Sequence, residues 1–282
     1  MRVLVTGGAG RLGYHVVTLL RETGHTIRVF DLPQVAWSHV LELGVEAFKG
    51  DITDLKMVND ACKGVNAVIH LAALLPPRSE TNIDNTLLVN VEGTRNILKS
   101  IQKDVLLVFS SSIAVYGITA NDNPPITESH PLNAHDNYST SKIEAEKLVK
   151  ESSNPYTILR VAPISVADLV ELPEVIPYKG DQRIEFIYVE DAATAAVNSI
   201  KSCNDREILN ISGGASWQMK GEEYVERFYS ALGVEVEPTF SEDYTAIDWY
   251  NSDKSKHLGY QRTSFNILEK KLRTLGEELG LR

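Results

Sequence analysis

Short apolar, β-branched runs alternate along the first 160 or so residues with longer stretches whose apolar positions recur every three or four places. The runs 1–6, Thr26–Phe30, Val45–Phe48, Ala67–His70, Val105–Phe109 and Thr157–Arg160 read as strands with both faces covered. After the first strand, Leu12, Val16, Val17, Leu19 and Leu20 keep helical spacing up to Gly24, and Val91–Ile101 and Tyr138–Lys150 are the clearest later helices. Strand and helix alternating in this way predict an α/β fold, a doubly wound parallel sheet with helices on both sides. Ligands of such sheets bind beyond the strand C-termini. Asp31, Asp51, His70 and Ser110–Ser112 all stand at those ends. No internal repeat or low-complexity linker interrupts the pattern.

The first strand runs directly into Gly7-Gly8-Ala9-Gly10-Arg11-Leu12-Gly13 and then into a helix, the setting a dinucleotide fingerprint requires. Gly7 permits the tight turn, Gly10 lets a pyrophosphate approach the backbone, and Gly13 lets the helix lie close to the strand. The helix N-terminus then offers N–H groups and partial positive charge to phosphate. Asp31 ends the second strand about twenty residues on, where a carboxylate accepts hydrogen bonds from the adenosine ribose. A carboxylate there repels a 2′-phosphate, so NAD is expected over NADP, with Arg11 and Arg28 the two nearby groups that would soften the preference.

Composition narrows the field. The 282 residues are 43% hydrophobic, enough for a large core and a small second lobe, and the net charge is −10. No basic stripe appears, so nucleic acid is not an expected partner. Cys62 and Cys203 are far apart and without metal-like spacing, which fits a reducing cytoplasm. A strand beginning at residue 1 makes a signal peptide unexpected, no apolar run is long enough for a bilayer, and the dispersed histidines suggest no metal site.

Tyr138-Ser139-Thr140-Ser141-Lys142 places a phenol and an ammonium four residues apart, on one face of a helix. A nearby ammonium lowers a phenol's pKa, the lysine can also reach a nicotinamide ribose, and Ser112 is suited to donate to a reacting oxygen. The set suits proton transfer at an alcohol while a nicotinamide exchanges hydride. Tyr250–Lys254 repeats the spacing, but it follows no glycine loop or serine-ended strand and reads as surface sequence. His70 reads as a packed strand-end residue, and neither His130 nor His135 is expected to be catalytic.

Taken together, these segments resemble the extended short-chain dehydrogenases/reductases, in particular the nucleotide-sugar epimerase and dehydratase group. The likeness runs through Thr6–Gly13, Asp31, Gly50–Ile52, His70–Ala73, Asn90–Thr94, Ser110–Gly117, Tyr138–Lys142, Leu159–Arg160, Phe186–Ala192 and Asn210–Gly214. It implies a Rossmann-type sheet from residues 1–161 plus about 186–212, and a small C-terminal α/β substrate lobe from about 162–185 plus 213–282. It implies that Gly7, Gly10, Arg11, Leu12, Gly13 and Asp31 hold NAD, and that Asp51 and Ile52 contact the adenine. Leu71, Ala72, Ala73 and Ser110 would line the cofactor, with Asn90 ordering the site around Lys142. Ser112, Tyr138 and Lys142 would be catalytic. A homodimer through the Val91–Ile101 and Tyr138–Lys150 helices is also implied, with Leu98, Ile101, Ile143 and Leu148 facing either the partner or the sheet.

Departures from the group sharpen the chemistry. Ile113 and Ala114 replace the acidic residues that family dehydratases and decarboxylases carry after the catalytic Ser or Thr, so the Ser110–Gly117 segment resembles 4-epimerases. Against this, Val161-Ala162-Pro163 replaces the usual Asn and Tyr-Gly-Pro, and the stretch between Arg160 and Phe186 is short. The arginine expected before Phe186 is displaced to Arg183. Three readings follow: a cofactor-retaining nucleotide-sugar 4-epimerase; an NAD-dependent dehydrogenase of a smaller sugar, sugar acid or hydroxy acid; and a non-catalytic NAD-binding protein, which the intact Ser112, Tyr138 and Lys142 set disfavours. Arg78, Ser112 and Arg183 are the candidate substrate contacts, in a site edged by the 121–137 loop.

Overall fold

The computed structural model describes residues 1–168, 172–202 and 206–282, so Cys203 lies outside the described residues. The central sheet is built from β1 (Arg2–Thr6), β2 (Thr26–Asp31), β3 (Glu46–Lys49), β4 (Ala67–His70), β5 (Leu106–Ser112), β6 (Tyr156–Val161) and β7 (Glu207–Ile211). All neighbours pair parallel, in the order β3-β2-β1-β4-β5-β6-β7. The order reverses between β1 and β4, which opens a crevice at the strand C-termini.

Alternation along each strand sorts the side chains into two cores. Val3, Val5, Ile69, Val108 and Leu159 face one side, where α1 (Arg11–Glu22) packs. Leu4, Val68, Leu107, Phe109 and Ile158 face the other, with residues of α2 (Leu55–Cys62), α3 (Gly93–Ser100) and α4 (Asn137–Glu151). Helix α5 (Val189–Ser202) closes the α1 side. Such two-sided coverage is why these strands carry almost unbroken apolar sequence. Ile101 is buried in the second core, and Leu98 and Ile143 pack on the two cores, so the sheet takes these side chains wholly or in part.

A third core gathers Val166, Ile184, Trp217, Tyr224, Phe228, Phe265 and Leu272, drawn in part from α6 (Gly221–Leu232) and α7 (Phe265–Glu278). Its strands are two-residue pairs, such as Arg183–Ile184 against Met219–Lys220. Among the described residues, no helix is long and apolar enough to cross a membrane.

Candidate functional site

The glycine loop folds as its spacing predicts. Gly7 has φ +69°, and a Cβ there would lie 2.8 Å from Ala72 N. A Cβ on Gly13 would lie 2.3 Å from the Gly7 carbonyl oxygen, so the helix approaches the turn as closely as a glycine allows. Gly10 differs: its Cβ would meet the Gly7 oxygen alone, at 3.2 Å, leaving its outer side clear. Gly10 is also the N-cap of α1, which has no side-chain cap and no acidic residue in its first turn. An uncapped helix end behind a bare glycine fits a pyrophosphate. Arg11 is exposed and Leu12 half-buried beside it.

Asp31 serves the same loop. Its Oδ2 accepts Ala9 N–H at 3.0 Å and its Oδ1 accepts Leu32 N–H at 2.8 Å, while burial raises the carboxyl's pKa. Each oxygen retains a lone pair for a ribose hydroxyl. Arg28 cannot soften a preference for NAD. It is buried, donates twice to Glu46 at 2.9 and 3.0 Å, and donates to the Ala61 and Lys63 carbonyls. Asp51 is exposed and folded onto Thr53, whereas Ile52 is buried against Gly93.

His70 is a directional relay in the floor of the crevice. Thr94 Oγ1 donates to the Asn90 carbonyl at 2.6 Å, so its oxygen accepts from His70 Nε2–H at 3.0 Å. His70 Nδ1 then accepts from Thr6 Oγ1 at 2.6 Å, and Thr6 Oγ1 accepts from Ala72 N–H at 3.2 Å. Burial, with Lys142 adding to it, pushes the imidazole down to about 3, so the ring is neutral. Leu71 and Ala72 are held to Thr6 by this chain and by Leu71 N–H on the Thr6 carbonyl, with Ala73 half-buried behind them. Among the described residues, no hydrogen bond joins Asn90 to Lys142. The Asn90 side chain binds Leu74 N–H at 2.6 Å and the Leu74 carbonyl at 3.0 Å, and donates to Ser141 Oγ at 2.8 Å.

Strand alternation separates the three serines. The Ser111 hydroxyl donates to Glu146 at 2.7 Å on one face. Ser110 gives its carbonyl to Lys142 Nζ at 2.8 Å, and the Ser112 hydroxyl lies close enough to the Tyr138 phenol to pull its pKa down. Ser112, Tyr138 and Lys142 are therefore brought together at the end of β5. The ammonium lies 5.7 Å from the Tyr138 ring centroid and 5.1 Å from that of Phe109. Burial pulls Lys142 down to about 8, against the opposing charge of Glu146. Burial pushes the Tyr138 phenol up to about 12, Ser112 pulling it down and Asp136 adding to the rise. Desolvation is the largest cause, and the lowering expected from Lys142 is not seen.

One supporting residue, Glu146, lies in none of the segments that carry the family likeness. Glu146 is fully buried and receives Arg160 twice, at 2.9 and 2.8 Å, and Lys150 at 3.0 Å. Burial alone would raise its carboxyl; Arg160, Lys150 and Ser111 outweigh it and hold it low. Arg160 continues to Tyr116, whose hydroxyl donates to Asn210. The one signal in the sequence was that Glu146 lies a helical turn beyond Lys142. Tyr250 corrects the surface reading given above: it is buried and its hydroxyl accepts Asp248 N–H, whereas Asp253 and Lys254 are exposed.

The substrate candidates are scattered. Arg78 is exposed at the head of a short 3-10 turn, and its guanidinium has no partner among the described residues. Arg183 donates twice to Asp248, at 2.7 and 2.9 Å, and to the Thr119, Ala120 and Asp122 carbonyls, which leaves Nη1 as its free nitrogen among the described residues. Glu185, buried before Phe186, accepts Gly214 N–H, Tyr250 N–H and the Gln218 amide, and so is structural.

Residues 4–161 match the 3-beta hydroxysteroid dehydrogenase/isomerase family. A putative UDP-glucose 4-epimerase of Methanocaldococcus jannaschii is 30% identical over 75% of this chain and 77% of its own length. The 3 beta-hydroxysteroid dehydrogenase type 7 of Rattus norvegicus is 36% identical over 53% of this chain, which spans about half (48%) of that protein. In fold the chain is similar to a UDP-glucose 4-epimerase from Stenotrophomonas maltophila solved with NAD and formylated UDP-arabinopyranose. The TM-score is 0.84 at 24% identity, covering 99% of each chain. The chain belongs to the 3-beta hydroxysteroid dehydrogenase/isomerase family, within the extended short-chain dehydrogenases/reductases, and is an enzyme.

Proposed function

We propose that the chain is a nucleotide-sugar 4-epimerase that retains NAD and works through a transient 4-keto sugar, with UDP-glucose and UDP-galactose the first substrates to test. The observation that carries this reading is the meeting of Ser112, Tyr138 and Lys142 at the end of β5. The similarity to a putative UDP-glucose 4-epimerase over three quarters of the chain supports it.

NAD, when bound, supplies the hydride acceptor and donor. Gly7, Gly10, Arg11, Leu12 and Gly13 hold its pyrophosphate, Asp31 a ribose, and Asp51 and Ile52 the adenine. Leu71, Ala72, Ala73, Asn90 and Ser110 line the site, and Lys142 also binds the nicotinamide ribose. Residues 1–161 with about 186–212 form this half. The substrate lobe is about 162–185 with 213–282. Ser112 donates to the sugar 4-oxygen. Tyr138 takes the 4-hydroxyl proton and returns it after the ketone has turned over in the cleft. A buried phenol is poorly suited to the first step, and Lys142 favours the phenolate. Arg78 and Arg183 Nη1 meet the anionic part of the substrate.

A second reading, an NAD-dependent dehydrogenase of a smaller sugar, sugar acid or hydroxy acid, is favoured by the commitment of Arg183 to Asp248. The enzyme is proposed to act as a cytoplasmic homodimer through α3 and α4; a monomer in light scattering at micromolar concentration would remove that part. The deciding experiment denatures the purified protein, assays released NAD(H), and incubates a second sample with UDP-glucose. Near-stoichiometric NAD(H) with appearance of the 4-epimer supports the epimerase. An empty protein that makes free NADH from small hydroxylated substrates supports the dehydrogenase.

A further inference from the structure

We infer that Glu80 is a positioning residue for Tyr138, gripping from outside the first turn of the helix that carries the phenol. The inference rests on the reading of Tyr138 as the proton carrier. The first N–H groups of a helix have no partner within it. In α4, Asp136 Oδ1 accepts Ser139 N–H at 2.7 Å, which leaves the Asn137 and Tyr138 amides. Glu80 takes both: Oε2 accepts Asn137 N–H at 2.9 Å, and Oε1 accepts Tyr138 N–H at 3.2 Å, from 57 and 58 positions away in sequence.

The carboxylate is itself oriented. Ser79, fully buried, donates from Oγ to Glu80 Oε1 at 2.7 Å and accepts the Asn137 side-chain amide at its carbonyl. A second tie lies one helical turn along, where Asn90 joins Leu74 to Ser141. The 74–80 loop, with Arg78 at its tip, is therefore fastened to α4 at Tyr138 and at Ser141. A negative group at a helix N-terminus is also favoured by the backbone dipoles. Glu80 is exposed and belongs to none of the three cores, so its removal spares the packing.

The test compares Glu80→Ala and Glu80→Gln with wild type. It reads amide hydrogen exchange at 137–138, the Tyr138 phenol titration (by difference against Tyr138→Phe in each background), and kcat and KM. Glu80→Ala is expected to lose protection at both amides and to bring the phenol from about 12 back toward its ordinary 10 as the turn loosens. Turnover should fall roughly ten- to a hundredfold, the scale of a 1 Å misplacement, with NAD affinity unchanged. Glu80→Gln keeps one acceptor oxygen and should fall between. Unchanged exchange and titration would overturn the role, as would an equal loss of NAD affinity, which would signal general loosening. Exchange and titration that shift while turnover holds would instead overturn Tyr138 as the proton carrier.

Discussion

The proposed cofactor half and the proposed substrate lobe hold their polar groups by different means. Around the glycine loop the controlling atoms are backbone: Gly7 at positive φ, Gly13 with no room for a methyl, and Ala9 N–H on Asp31. In the lobe they are buried charges with distant partners, Arg183 on Asp248 and Glu185 on Gly214, Gln218 and Tyr250. The first arrangement depends on what a few consecutive residues lack. The second depends on side chains that meet only after folding.

The largest break in that comparison falls between the halves. Tyr138→Phe should lower turnover by about two to four decades, the scale of a lost general acid–base group, and leave NAD binding intact. Steady-state kinetics beside NAD titration checks it; full activity would remove the site assignment. Within the cofactor half, two glycines should part company. Gly13→Ala forces a methyl to 2.3 Å from a backbone oxygen and should cost about 3 kcal/mol or more in denaturant unfolding. Gly10→Ala has a milder clash, at 3.2 Å, and should fold while binding NAD more weakly.

That contrast explains how much was legible in the sequence. Strand β4 falls at the residues its apolar run marks, α4 starts one residue before Tyr138, and Ser110–Ser112 end β5, because period and glycine spacing are local. The Glu146–Arg160 pair and the Glu80 cap were not legible. A glutamate on a helix looks solvated until the fold buries it, and 57 positions separate Glu80 from Asn137. The π-helical turn at Leu88–Glu92 around Asn90 likewise has no periodic signature. Tyr250 was misread for the same reason: its burial comes from neighbours such as Tyr116, far along the chain.

The two arginines sharpen the comparison further. Arg183→Ala leaves the fully buried Asp248 without its bidentate partner, though Thr119 Oγ1 still donates to it. Breaking a buried pair costs about 3–5 kcal/mol; the partial exposure of Arg183 reduces this to roughly 2–3 kcal/mol. Arg78→Ala, at an exposed and unpaired position, should change stability by less than about 0.5 kcal/mol and raise substrate KM roughly tenfold. Thermal denaturation and kinetics of both variants decide which arginine meets the substrate. A stability loss at Arg78 without a KM effect would reverse the assignment.

The pH dependence of stability tests whether the relay through His70 belongs to folding or to chemistry. The imidazole is held neutral by burial down to about 3, whereas the unfolded chain protonates it near its ordinary value of 6.5. Between those values the unfolded state binds the extra proton, so this residue's contribution to stability falls as pH falls. From pH 7 to pH 5 the loss is about 2 kcal/mol, taking the ring as neutral throughout in the native state. The buried carboxyls Asp31, Glu185 and Asp191 are raised mainly by burial and act in the opposite sense, favouring the native state on acidification. The wild-type curve alone therefore does not isolate the histidine. His70→Gln does, since its amide can donate toward Thr94 or accept from Thr6 but does not titrate. The variant should be less stable at pH 7, with a difference from wild type that narrows by about 2 kcal/mol at pH 5 in urea unfolding. A difference that stays constant with pH would mean that His70 takes up its proton in the native crevice as readily as in the unfolded chain, and the directional chain from Ala72 to Asn90 would have to run otherwise.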